Sequence, residues 1–254
     1  LFPLIGTDFF PKVDAGQIRL HVRAPAGTRI EETQKYFADV EKVIHQVIPA
    51  NEIATLIDNI GIPNSTINLS LSDMSMIGPA DGEILIALNE HHRPTDGYIE
   101  KLRVVLARDF PQLGCFFQPA DIATQVLNFG LPASIDVQVM GPIAEADQNE
   151  ALARRMMGDI RKIPGAVDLR LAQVSNTPEL DVNVDRVMAN QMGLTQKQVA
   201  SDLLVSLSSS GQTAPNFWTN PKNGVNYSIL VQTPQYRNSS INDLDNTPGI
   251  PASA

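Results

Sequence analysis

Few side chains in this 254-residue chain are spaced for chemistry. Glu90, His91 and His92 stand together, and Met74 and Met76 lie two apart. Imidazole and carboxylate groups suit zinc-like ions, and thioethers suit Cu(I). Adjacent strand residues point to opposite faces, however, so Glu90, His91 and His92 cannot converge on one ion and read as solvated strand-end residues. Met74 and Met76 share a face on a strand, but no third methionine joins them, and packing is the expectation. The single cysteine, Cys115, excludes an intrachain disulfide and a Cys-based zinc site. It sits in an apolar run and reads as core. Asp121 follows Pro119-Ala120 with no nucleophile or base motif beside it. A nucleophile elbow, a P-loop and a dinucleotide fingerprint are all lacking. The expectation is no catalytic residue, no metal, no cofactor and no enzyme.

Charge narrows the partners. The chain holds 19 basic and 28 acidic residues, a net charge of −9. Phosphate binding needs a concentrated basic face, and only short pairs such as Arg154-Arg155 and Arg161-Lys162 occur, so nucleic acid is excluded. No run reaches the roughly 18–20 apolar residues of a membrane span. The chain opens on Leu1 rather than methionine and closes on residues 247–254, which carry no periodic pattern. Both ends read as cut from a longer protein.

The elements that must position any site are punctuated by proline. Pro49, Pro111 and Pro164 each follow an amphipathic helix and precede a strand pattern. Proline cannot continue a helix and pushes its predecessor out of the α region. Residues 17–23 alternate polar and apolar as a half-buried strand. Thr28 and Glu31 suggest a capping box for a helix over 30–48, with Phe37, Val40, Ile44 and Val47 on one face. Strands are expected at 53–57, 67–71, 83–89 and 115–118. Thr95 is a candidate cap for a helix over 98–110. The order is split βαβ, a ferredoxin-like α+β fold with both helices on one face of an antiparallel sheet. A strand at 135–140, a helix at 145–163 and a strand at 167–171 make half of a second such unit. Next come a strand at 179–185, a short helix ended by Gly193, and a helix opened by a Thr195–Gln198 capping box. A long polar loop at 208–220 and a strand at 225–232 complete the pattern. This last stretch reads as an inserted α/β module.

These motifs, in this order, resemble a known family. Gly6-Thr7-Asp8-Phe9-Phe10-Pro11 with Asp14-Ala15-Gly16, Arg23-Ala24-Pro25-Ala26-Gly27-Thr28 running into Glu32-Thr33, His92-Arg93-Pro94, and the run from Thr177 to Asp185 with Gln191 to Thr195 carry the likeness. They resemble the second extracytoplasmic loop of resistance-nodulation-division (RND) efflux permeases, with the hydrophobe/amphiphile branch fitting best. The resemblance implies a periplasmic loop of a Gram-negative inner-membrane antiporter that exports multiple drugs or amphiphiles. The full-length protein would be a homotrimer working with a periplasmic adaptor and an outer-membrane channel. Residues 1–130 then resemble the first porter subdomain of the C-terminal half. Residues 131–173 resemble the first half of the second porter subdomain, and 174–254 a truncated docking subdomain. The proton-carrying carboxylates of such a pump lie in membrane helices, so this stretch could not transport alone. A heavy-metal branch of the family and a stand-alone ferredoxin-like binding module are the alternatives.

On this resemblance, a small amphiphilic substrate would meet Phe116, Gln118, Gln125, Asn128 and Phe129 in a cleft between porter units. Apolar walls with a few amides suit such a ligand, and connector packing is the bland alternative. Ile60, Ile62 and Ile84 would line the neighbouring pocket, near a segment 60–65 that resembles the family's flexible switch loop. Familiar drug exporters have phenylalanines there. Aliphatic residues bury apolar surface but lose aromatic stacking, which points to a narrower substrate range or another amphiphile class. Phe217 and Trp218 are candidates for docking contacts, with local packing the alternative.

Overall fold

The computed structural model describes residues 14–62, 76, 78–129, 131, 133–211 and 213–249. The chain divides into two units, Leu1–Pro178 and Glu179–Ala254. Among the described residues no helix is long and apolar enough to cross a membrane.

Unit 1 is built on strands β1 (Gln17–Arg23), β2 (Ile53–Ile60), β3 (Asp81–Leu88) and β4 (Gly114–Gln118), with helices α1 (Ile30–Val47) and α2 (Thr95–Asp109) in the crossovers. The sheet order is β2-β3-β1-β4 and every pairing is antiparallel. This is the split βαβ arrangement expected from the element order. One sheet face buries Ile18, Leu20, Val22, Ile84, Ile86 and Phe117 against Phe37, Val40 and Ile44 of α1 and Tyr98, Leu102 and Leu106 of α2. The helical spacing of those apolar residues is what turns each helix toward the sheet.

The helix ends differ from expectation at the N-termini. Thr28 does not cap α1; its hydroxyl donates to the Pro25 carbonyl at 2.7 Å, and the cap position falls to Arg29, which makes no side-chain cap. Glu31 and Glu32 in the first turn favour that end through the helix dipole. Thr95 lies inside α2 rather than before it. The Asp14 carboxylate accepts from the Thr95 amide at 2.8 Å and its hydroxyl at 3.0 Å, so a residue distant in sequence does the capping. At the C-terminus of α1 the proline rule holds: Ile48, before Pro49, is extended at φ −103° and ψ 122°.

Beyond β4, unit 1 continues with α3 (Ile122–Leu127), a 3-10 turn (Ile143–Glu145) and α4 (Ala146–Ile160). Unit 2 holds α5 (Arg186–Gln191), α6 (Gln196–Ser208), a hairpin of β5 (Asn216–Thr219) and β6 (Asn226–Ile229), and α7 (Ile241–Asp245). The Thr195–Gln198 capping box forms at the start of α6, and Gly193 takes the left-handed conformation at φ 76°.

Three expected strands do not form. Residues 135–140, 167–171 and 179–185 carry no ladder, and Ile135, Val137 and Leu180 stand 82%, 53% and 66% exposed. Alternation marks a surface fit for a sheet, but a strand also needs a neighbour for its N–H and C=O groups. The 208–220 stretch is not all loop, because β5 lies within it; the 225–232 strand shortens to β6. The expected strand at 67–71 lies outside the described residues.

Two substitutions test this packing. A Cβ on Gly82 would stand 2.5 Å from the Asn59 carbonyl oxygen and 2.6 Å from the Phe37 ring. Gly82→Ala should therefore destabilise unit 1 by about 1–3 kcal/mol in urea denaturation. Asp58 on β2 is the second case: burial, then a hydrogen bond with the Glu41 carboxyl, pushes it up to about 7. The folded state then keeps a proton that the unfolded chain releases near pH ~4, so stability falls as pH rises from about 4 to about 7. Asp58→Asn should remove that fall. In thermal melts the variant should match the parent near pH 4 and exceed it at pH 8; a lower melting temperature at pH 8 would contradict the assignment.

Candidate functional site

The sheet face turned away from the helices is charged, and it is buried. Registry sets Arg23 opposite Asp81, His21 opposite Glu83, and Arg19 opposite Leu85. Arg23 Nε donates to Asp81 Oδ1 at 2.6 Å, and His21 Nε2 lies 3.1 Å from the same oxygen. Arg19 Nε lies 2.9 Å from Glu83 Oε2, and Asn59 donates to Glu83 Oε1 at 3.2 Å. His21 and Glu83 are fully buried, and Asp81 is 3% exposed. Buried charges persist only when paired and hydrogen-bonded. Burial is the largest influence on Asp81 and raises its pKa, but hydrogen bonds from His21 and Arg23 outweigh it and hold the carboxyl below its ordinary value.

Phe116 sits opposite His21 on β4. The two rings stack with centroids 4.4 Å apart and 14° between planes. The Arg170 guanidinium lies 4.0 Å from the centroid of the same Phe116 ring, within cation–π range. Residues near Arg170 are clamped from both sides. Arg23 Nη1 donates to the carbonyls of Leu171 and Ala172 at 3.3 and 3.4 Å. Arg103 of α2 binds Asp168 in bidentate fashion, with its shortest contact 2.6 Å. Side chains thus hold the 168–172 segment to the sheet, although it forms no strand.

Between these parts lies a cleft of about 550 Å³. One wall is the turn after β1, Pro79-Ala80 and Phe116; the other is Arg154 and Met157 of α4 with residues 169–177. Leu169, Leu171, Val174 and Met157 make it apolar, while Arg23, Arg29, Arg154 and Arg170 ring it with guanidinium groups.

The expected cleft residues scatter. Phe116 lines the cleft. Gln118 is buried beside the charged ladder, opposite Arg19, and does not line it. Asn128 caps the C-terminus of α3, and its Nδ2 is buried without a hydrogen-bond partner among the described residues. Phe129 is 94% exposed, in the left-handed region at φ 53°, and away from the cleft. The side chain of Gln125 lies outside the description. Ile84 needs correction: it is fully buried on the helix-covered face, because strand alternation puts it opposite in direction to Glu83. Ile60 packs against the same core, and Ile62 is 58% exposed; neither lines the cleft. Residues 63–65 of the supposed switch loop, and Met74, lie outside the described residues. Asp121 is a helix cap, its Oδ1 accepting from the Thr124 amide at 2.7 Å. Phe217 and Trp218 lie on β5 and are exposed, with Trp218 tilted against Tyr227 at 5.8 Å. Among the described residues no three His, Cys, Asp or Glu side chains gather to hold a metal. Burial pushes the Cys115 thiol up to about 12, as expected for a packed rather than reactive cysteine.

Arg19, His21, Arg23, Asp81, Glu83 and Arg170 are the site residues that sequence reasoning missed. The signal was present: Arg-x-His-x-Arg on one strand pattern and Asp-x-Glu on another share the two-residue period of a strand.

The sequence pattern of the AcrB/AcrD/AcrF family fits residues 1–250. The chain belongs to this family. Among relatives, the nickel and cobalt resistance protein CnrA of Cupriavidus metallidurans is 24% identical over 97% of the chain. The cobalt-zinc-cadmium resistance protein CzcA of the same organism is 22% identical over 96%. The chain spans 22% of the length of each. A solved heavy metal efflux pump superposes on 99% of the chain, and 25% of its own, with a TM-score of 0.70 at 21% identity. That likeness concerns the fold. The α+β class with an antiparallel sheet is therefore shared with this AcrB/AcrD/AcrF-type neighbour.

The ladder gives a stability test. Asp81→Ala strands His21 and Arg23 in a buried site and should cost about 3–5 kcal/mol in urea denaturation. A loss below about 1 kcal/mol would mean that the pair is not buried as described.

Proposed function

We propose that this chain is the periplasmic porter and docking part of a proton-driven RND efflux permease of the inner membrane. Unit 1 would meet the cargo in its cleft, and unit 2 would belong to the docking side, with Phe217 and Trp218 as contacts. The family match across residues 1–250 carries this reading. No chemistry is asked of the chain; its task is to bind and pass on. The homotrimer, the periplasmic adaptor and the outer-membrane channel belong to the same proposal.

The branch differs from the one that the sequence motifs suggested. The named relatives resist nickel, cobalt, zinc and cadmium, which favours export of divalent metal cations over the hydrophobe/amphiphile branch. Multidrug export has no comparable support. The substitution of isoleucines for phenylalanines near residue 60 fits a departure from drug exporters.

The test uses the full-length parent protein. Deleting its gene should lower tolerance to at least one of Ni2+, Co2+, Zn2+ or Cd2+, and restoring the gene should recover it. Unchanged tolerance to all four, with lost tolerance to amphiphiles, would return the protein to the other branch.

A further inference from the structure

The lining of the unit 1 cleft does not match the cargo that the relatives' names suggest. Arg23, Arg29, Arg154 and Arg170 all border it, and Asp81 is the one carboxylate among the described lining residues. Asp81 already accepts from Arg23 and contacts His21. A bare divalent cation would approach guanidinium groups and find its only carboxylate engaged. An anion finds the opposite.

The geometry points to an organic anion with an apolar body as the ligand of this cleft. The anionic head, whether carboxylate, sulfate or phosphate, would meet Arg170 and Arg154, and the apolar body would lie on Met157, Leu169, Leu171 and Val174. Arg170 is the central residue. Its guanidinium lies over the Phe116 ring at 4.0 Å. Stacking uses the flat face of a guanidinium and leaves its N–H groups directed in the plane, where they suit an oxyanion. Phe116 is itself stacked on His21, which Asp81 holds from the far side. The cation is thus positioned by a rigid series of buried contacts. Arg154 and Arg29 have Glu150 and Glu31 beside them, in solvent-facing pairs that screening weakens and an incoming anion can replace.

This inference rests on the reading of unit 1 as the part that meets cargo, and it deepens that reading by naming a ligand class. The test is calorimetric titration of the 254-residue chain with three amphiphiles of equal tail length, each below its micelle concentration. Laurate should bind; dodecyl maltoside should bind about tenfold or more weakly, and dodecyltrimethylammonium not at all. Arg170→Gln should weaken laurate about tenfold without changing the maltoside, Arg170→Lys should recover part of the loss, and added salt should weaken laurate alone. Circular dichroism melts check that each variant folds; if Arg170→Gln does not, Arg154→Gln supplies the same comparison. Equal affinity for the three headgroups, absent laurate binding, or indifference of laurate to both arginine changes would overturn the proposal. NiCl2 titration is the final arm: tight nickel binding abolished by Asp81→Asn would likewise overturn it. Metal tolerance conferred by the full-length permease without laurate binding sinks the anion and spares the exporter. Arginine-dependent laurate binding without any tolerance phenotype does the reverse.

Discussion

Asp81 between His21 and Arg23 is the interaction on which the rest of unit 1 depends. One carboxylate oxygen answers two cationic or polar side chains from the neighbouring strand. That arrangement lets charged residues occupy the buried face of a sheet, where isolated charges would be excluded. Arg23, fixed by Asp81, then uses its remaining donors on the Leu171 and Ala172 carbonyls. His21, fixed by the same oxygen, supports the Phe116 ring. Fold and cleft are tied at a single side chain.

The sheet is consequently two-faced in an unusual sense. The helix side is an ordinary apolar core, filled from β1, β3, α1 and α2. The other side is also buried, but through ion pairs rather than hydrocarbon. Such a face gains little net stability over an apolar one, since desolvation offsets attraction. What it supplies is directed hydrogen bonding at the wall of a cavity. The 168–172 segment, lacking a strand neighbour, is held by Arg23 and Arg103 through side-chain contacts alone. A strand partner would have held it more strongly and covered the exposed apolar residues around Val167.

Much of the fold was legible in the residues. The helical spacing of Phe37, Val40 and Ile44, the proline stops at Pro49 and Pro111, and the alternation of β1 all reappear in the structure. The Thr195 capping box was legible too, because both of its members lie within one turn. The Thr28 box was not, since a local motif competes with the turn at Pro25 that takes its hydroxyl. Asp14 as the cap of α2 was out of reach, for its partner lies 81 residues away. Alternation at 135–140 and 179–185 predicted strands, and it could not reveal whether a neighbouring strand was present. Among the site residues, Phe116 was legible as an apolar wall, whereas Ile84 was assigned to the wrong face because neighbouring strand residues differ only by phase.

The amino-acid sequence by itself determined the periodicities, and through them the split βαβ order, the helix-covered core and the family. Those properties depend on residues close in the chain or on pattern alone. The tertiary structure alone decided that Arg19, His21 and Arg23 face Asp81 and Glu83 in a buried ladder, and that Arg170 lies over Phe116. Strand register and the return of a distant segment bring these groups together, and neither is written in any local stretch. The sparse metal-type motifs that drew attention first, Glu90-His91-His92 and Met74-x-Met76, form no described ligand cluster. The side chains positioned for recognition are arginines, set there by pairing across strands.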